Sequence, residues 1–178
     1  MPARGKPATV LPQFSRWTSV RALAVFLCLL AAPAFAGDIT VAFSPDGGAE
    51  KAVVDVIGEA QHTIRLAAYG FTSKEIAAAL VAAHNHGVDV EAVLDKSNQT
   101  ARYSAATFLT NASIPTRIDS QYAIMHNKFL VIDGVTVETG SFNYTTAASE
   151  RNAENVIILR DVPDVAAKYS ARMAAALE

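Results

Sequence analysis

From residue 39 onward, short apolar runs alternate with stretches whose apolar residues recur at helical spacing. Residues 39–43 read as a first strand, closed by the turn Ser44-Pro45-Asp46-Gly47-Gly48. Ala49, Ala52, Val53, Val56, Ile57 and Ala60 share one face of a helix. Residues 63–71 form a strand apolar enough to be covered on both faces. Ser73 is a candidate N-cap for a helix that turns Ile76, Ala79, Leu80 and Ala83 inward and stops at Gly87. A second covered strand spans 88–94 and runs into the polar stretch 95–100. A helix over 101–111 and a short strand over 114–118 follow.

The sharpest pattern lies further on. Residues 129–132 are bulky or β-branched, Asp133-Gly134 is a dipeptide favoured in two-residue hairpin turns, and residues 135–139 resume the strand pattern. Alternate strand residues share a face, so His126 and Lys128 point the same way. Asp133 has the opposite parity and is expected to hold the turn. Residues 119–125 approach this hairpin and are a candidate lip beside it. After Asn143 a short helical or irregular stretch reaches Arg151, and residues 154–160 form a strand. Pro163 then opens a closing helix that buries Val165, Tyr169, Met173 and Ala176. Strands alternating with helices predict an α/β fold in α/β/α layers. Its central sheet is expected to be mostly parallel, and mixed because of the hairpin.

Residues 1–36 stand apart. Arg4, Lys6, Arg16 and Arg21 form a basic leader without acidic residues, residues 22–32 are apolar, and Ala34-Phe35-Ala36 fits a small-x-small cleavage site. These are the marks of a cleavable secretory signal, which would deliver the remainder to the periplasm or the exterior. The apolar run is shorter than the roughly 20 residues of a bilayer span, and Pro33 interrupts it; an uncleaved anchor is the alternative. Cys28 lacks the small neighbours of a lipidation site. Cutting after Ala36 leaves residues 37–178 as one domain without stable membrane insertion, and with no cysteine, hence no disulfide and no thiolate ligand.

The full chain carries 15 Lys and Arg against 17 Asp and Glu. The four charges of the leader are all basic, so the remainder stands at 11 against 17. That balance counts against a broad basic surface for nucleic acid. Any phosphate-binding field must be local, with Lys96, Arg102, Arg117, Lys128 and Arg151 as candidates or, equally, as solvated surface.

His126 beside Lys128, followed by Gly140-Ser141-Phe142-Asn143, suits a phosphate ester. An imidazole can act as nucleophile or proton carrier near neutral pH. An ammonium, a hydroxyl and an amide can cradle phosphate oxygens and the charge that builds on them. The whole pattern is His-x-Lys, four residues, Asp, six residues, Gly-Ser-x-Asn, and it is identified as the signature of the phospholipase D superfamily. Ala-Tyr-Gly-Phe at 68–71, Gly-Val-Asp-Val at 87–90 and Asn-Ala-Glu-Asn at 152–155 extend the resemblance to the small, single-motif bacterial endonucleases of that superfamily.

The resemblance implies the layered phospholipase D-type fold and a twofold homodimer, because one motif supplies one histidine where cleavage needs a nucleophile and an acid. One His126 would form a covalent phosphohistidine; the other would protonate the leaving oxygen and then activate water. Lys128, Ser141 and Asn143 would surround the phosphate, Glu154 would orient His126 through a ring nitrogen, and Asp133 is the structural member of the motif. No metal or other cofactor is implied. The implied substrate is DNA, with RNA as a further polymer; a phospholipid headgroup is the alternative, and a catalytically silent binding module is a third reading.

Two further sets of residues enter from position alone. Asp95 and Lys96 sit at the carboxyl end of a strand, where α/β sheets bind ligands, and are candidates for substrate binding or else a solvated connection. His84 and His86, two apart at a helix end, share no face and have no third ligand at metal spacing. They read as helix-terminus histidines.

Overall fold

Seven strands form one sheet: β1 (Ile39–Ser44), β2 (Thr63–Ala68), β3 (Asp89–Asp95), β4 (Thr116–Asp119), β5 (Lys128–Ile132), β6 (Thr136–Gly140) and β7 (Glu154–Leu159). Their spatial order is β1-β7-β6-β5-β2-β3-β4. Among the described residues six helices accompany them: α1 (Ala49–Gly58), α2 (Lys74–Asn85), α3 (Ser97–Thr100), α4 (Ala105–Asn111), α5 (Thr146–Glu150) and α6 (Pro163–Ala175). The structure, a computed structural model, describes Met1 and residues 37–100 and 104–175. The expected secretory signal over residues 1–36, with Cys28, and the candidates Arg102 and Ala176 lie outside the described residues.

The sheet is mixed, as the hairpin required, but its pairing differs from the expectation. β2, β3 and β4 pair in parallel, whereas β5 runs antiparallel to both β2 and β6, and β7 antiparallel to both β6 and β1. Five strands thus point one way and two the other, yet four of the six neighbouring pairs are antiparallel. The reason is that β5 and β7 are interleaved among the others.

Local signals account for most element ends. Ser73 caps α2, its Oγ accepting from the Ile76 N–H at 3.1 Å, and Gly87 leaves the helix at φ 93°. Asp133 and Gly134 both adopt positive φ, 52° and 68°, as a type I′ hairpin turn requires. The polar stretch 95–100 is tighter than an open loop, because Ser97 to Thr100 wind into the short helix α3.

Both faces of the sheet are covered. Under α1 and α2 lie Leu66, Leu94, Leu130 and Ile158; under α6 lie Ala67, Phe129, Val131 and Val137, packed on Ala166 and Met173. Val165 and Tyr169 of α6, expected inward, are only half-buried. Every residue of β5 is buried, with Leu130 and Ile132 facing one layer and Phe129 and Val131 the other. Each such side chain contributes about 1.5–3 kcal/mol, so the strand that begins at Lys128 is anchored from both sides. Among the described residues, no helix is long and apolar enough to cross a membrane.

Candidate active site

His126 sits just ahead of β5, and two backbone contacts fix its approach. The Asp95 carboxylate accepts from the Met125 N–H at 2.8 Å, and the Tyr69 N–H donates to the Asn127 carbonyl at 2.9 Å. Lys128 then pairs with Ala68 at the end of β2. Its buried ammonium lies 3.0 Å from Nδ1 and 3.1 Å from Nε2 of His126, and donates to the His126 carbonyl at 2.9 Å. The Tyr69 ring leans on both: its centroid is 4.5 Å from that of His126 and 5.2 Å from the Lys128 Nζ. Burial draws the Lys128 pKa below its ordinary value, while the negative charge of Glu154 pulls it back up.

The second half of the motif folds over one peptide of β7. The Asn155 carbonyl accepts from Ser141 N–H at 3.1 Å and Phe142 N–H at 3.3 Å, and the Asn155 N–H donates to Ser141 Oγ at 3.0 Å. A side chain at position 140 would place its Cβ 2.1 Å from the same carbonyl, so only glycine permits this approach. Ser141 Oγ donates in turn to Glu154 at 2.7 Å, and Asn152 donates to the other Glu154 oxygen at 3.1 Å.

His126, Lys128, Ser141, Asn143 and Glu154 come together in one cleft of about 490 Å³, with Thr139, Phe129 and Tyr169 completing its wall. Asn143 lines the same cleft, and its Oδ1 is buried with no partner among the described residues. The lining therefore offers one imidazole, one ammonium, a hydroxyl, a side-chain amide and one carboxylate: nucleophile, donors and a proton acceptor around a space fit for a phosphate group. Among the described residues, no three His, Cys, Asp or Glu converge to hold a metal ion.

Asp133 is where parity put it, away from the cleft. Its carboxylate accepts from the backbone N–H of Gln61, His62 and Thr63, each at 2.8 Å, and so ties the hairpin turn to the start of β2. Burial works to raise its pKa, but the three donors outweigh it and hold the group below its ordinary value.

Four expectations need correction. Asp95 and Lys96 do not line the cleft: both Asp95 oxygens are taken by the N–H groups of Ser97 and Met125, and exposed Lys96 reaches the Tyr122 carbonyl at 3.2 Å. Asp95 shapes the site only by fixing the residue before His126. No hydrogen bond joins Glu154 to His126; the carboxylate instead accepts from Ser141 and Asn152. The segment 119–125 also stays off the cleft wall, its Tyr122 held instead by Arg172 of α6 at 3.2 Å. Arg117 and Arg151 are exposed and do not line the cleft either.

Sequence reasoning missed Tyr69, which stands against His126 and Lys128, and Tyr169, which lines the cleft. Tyr69 lay in the quoted Ala-Tyr-Gly-Phe segment, whose position at a strand end was the available signal. Tyr169, read as core from its helical spacing, instead stands edge-on to Phe129 with centroids 4.9 Å apart at the rim.

Residues 53–177 match the family described as cardiolipin synthase, PLD-like domain. A Rickettsia bellii protein named phospholipase D is 42% identical over 123 residues, covering 69% of this chain and 61% of that one. A mitochondrial cardiolipin hydrolase of Xenopus laevis is 34% identical over 116 residues, covering 65% of this chain and 55% of that one. The chain thus spans less than two thirds of the length of either relative. The crystal structure of Nuc from Salmonella typhimurium, a phospholipase D family member, matches with a TM-score of 0.77 at 40% identity, over 79% of this chain and 94% of that one.

Proposed function

The chain belongs to the phospholipase D superfamily, and we propose that it is a metal-independent, sequence-non-specific endonuclease acting on the phosphodiester bonds of DNA, with RNA as a further polymer. The carrying observation is the single cleft that holds His126, Lys128, Ser141 and Asn143 together with one imidazole only. A ring nitrogen of His126 attacks phosphorus, forming an N–P bond as the P–O bond to the leaving sugar breaks. The departing alkoxide takes a proton from the partner's His126. That imidazole, now neutral, removes a proton from water, whose oxygen forms the new P–O bond and releases the first His126. Lys128, Ser141 and Asn143 offset the charge on the phosphate oxygens.

A second copy is required because one imidazole cannot stay bonded to phosphorus and also serve as acid and base. An apolar stripe supports such a pairing: Ile39, Val41 and Phe43 of β1 are 59%, 54% and 57% exposed. They lie opposite Leu159, Ile157 and Asn155 of β7, and Ile157 in turn lies opposite Thr139 of the cleft wall, so the stripe shares the sheet face of that wall. Glu154 orients an imidazole either by giving up Ser141 or by meeting the partner's His126. The expected delivery to the periplasm or exterior, by a signal cut after Ala36, belongs to the same proposal.

Phospholipid hydrolysis is the second reading, favoured by the exposed Tyr122 and Ile124 on the segment leading to His126 and by the names of the two relatives. The mainly polar lining of the cleft favours the nucleic acid backbone. Incubating the protein with plasmid, and separately with phosphatidylcholine or cardiolipin vesicles, all in excess chelator, decides between them. Nicked plasmid without headgroup release is the expected result; headgroup release alone, or activity restored only by one metal, would overturn it.

A further inference from the structure

Glu138 of β6 and Tyr144 are both fully buried, and the Tyr144 hydroxyl donates to Glu138 Oε2 at 2.6 Å. Neither belongs to the motif, and neither touches the cleft. Their positions in the chain are what matter: residue 138 precedes, and residue 144 follows, the loop that carries Gly140, Ser141 and Asn143. Tyr144 is itself fixed from the other side, its carbonyl accepting from Thr72 N–H at 2.8 Å and Ser73 N–H at 2.9 Å. We propose that Glu138 and Tyr144 are a positioning pair, whose hydrogen bond closes the two ends of the motif loop and sets Ser141 and Asn143 against the phosphate. The activity arm of this proposal rests on the phosphodiesterase reading; the structural arm does not.

The surroundings of the pair suit an uncharged Glu138. Its Oε1 has no partner among the described residues, which a neutral carboxyl tolerates far better than a carboxylate. Burial pushes its pKa up to about 8, against the downward pull of the Tyr144 hydroxyl. The neighbours supply no other relief. Lys128 from β5 and Glu154 from β7 share this sheet face but stand at the cleft, bonded elsewhere. Glu50 of α1 is taken by Ser73 at 2.6 Å and Ser149 at 2.9 Å, while α2 and α5 bury only apolar residues here. Ionisation would strengthen the Tyr144 hydrogen bond but place an uncompensated charge in the apolar layer behind the loop, so the loop geometry answers to the charge on Glu138.

The test uses the full chain and three variants, Tyr144→Phe, Glu138→Gln and Glu138→Leu, with two readouts. Amide ¹⁵N shifts of Ser141, Phe142 and Asn143 follow the loop without requiring turnover; hydrolysis of bis(p-nitrophenyl) phosphate in chelator gives kcat and KM. In the unmodified chain the loop shifts should move on titration through about pH 8, and Glu138→Gln should abolish that step. Tyr144→Phe should displace the same shifts at neutral pH and lower kcat by about tenfold or more, with KM changed by less than about threefold, the signature of a misplaced group. Glu138→Gln, which still accepts from Tyr144, should retain more kcat than Glu138→Leu. Unmoved loop shifts in Tyr144→Phe, or a pH step that survives in Glu138→Gln, would overturn the proposal. Because those two variants conserve shape, they decide it even if Glu138→Leu does not fold. A chain that folds but hydrolyses no phosphodiester defeats the proposed function instead, and the loop shifts still decide the clamp.

Discussion

The ammonium of Lys128 faces both ring nitrogens of His126, at 3.0 and 3.1 Å, while gripping the carbonyl of the same residue. An ammonium can donate only to a nitrogen with a lone pair, and a neutral imidazole has one, so at most one of these two contacts is a hydrogen bond. On the proposed reaction Lys128 acts twice, on the nucleophile and on the phosphate. Lys128→Met should lower kcat by about 10²–10³ while leaving stability unchanged or slightly raised, because burial already disfavours the charge. Steady-state kinetics and urea denaturation on the same preparation check both halves; a large loss of stability would mean the side chain serves the fold instead.

His126→Asn should abolish turnover with the fold retained. Mixing it with the unmodified chain is the more telling measurement. If each centre needs two imidazoles, mixed dimers are dead, and after exchange the activity per total protein should fall with the square of the unmodified fraction. A linear decline would point to centres that work alone.

Asp133→Ala removes the acceptor of three backbone N–H groups and should cost about 2 kcal/mol, read by denaturation, with kcat at saturation little changed. The sign of its pH dependence follows from its lowered pKa. The stabilisation is fully present above the ordinary carboxylate value of 3.8 and is lost as pH falls through the lower folded value.

Glu138 works in the opposite direction. Its folded pKa of about 8 lies above its ordinary 4.5, so between those values the unfolded chain releases a proton that the folded chain keeps. Stability should therefore fall as pH rises across that window, by up to about 1.4 kcal/mol per unit, and level off beyond it. Glu138→Gln should flatten the curve. Denaturant midpoints taken at several pH values would show whether it does.

The hairpin was legible because its chemistry is local: bulky strand residues, an Asp-Gly pair able to take positive φ, and a parity rule that placed His126 with Lys128 and set Asp133 apart. The caps at Ser73 and Gly87 were legible for the same reason. Strand neighbours were not, since β1 against β7 joins residues more than a hundred positions apart and no short-range signal records the choice. Asp95 was misplaced because a polar residue at a strand end can face the crevice or bind its own loop, and composition does not distinguish the two. Glu138 gave no sign at all. A strand covered on both faces has no polar side, so its one buried acid looks from the sequence like an ordinary outward residue.

The pairing of β1 with β7 also sets the order in which the molecule can be finished. As the chain is made, β1 must wait for its partner β7, Glu154–Leu159. Glu154 at the head of that last strand is also a wall of the cleft, and its neighbour Asn155 anchors the motif loop. A polypeptide that lacks β7 thus lacks an assembled cleft, and the proposed hydrolysis would wait on that strand.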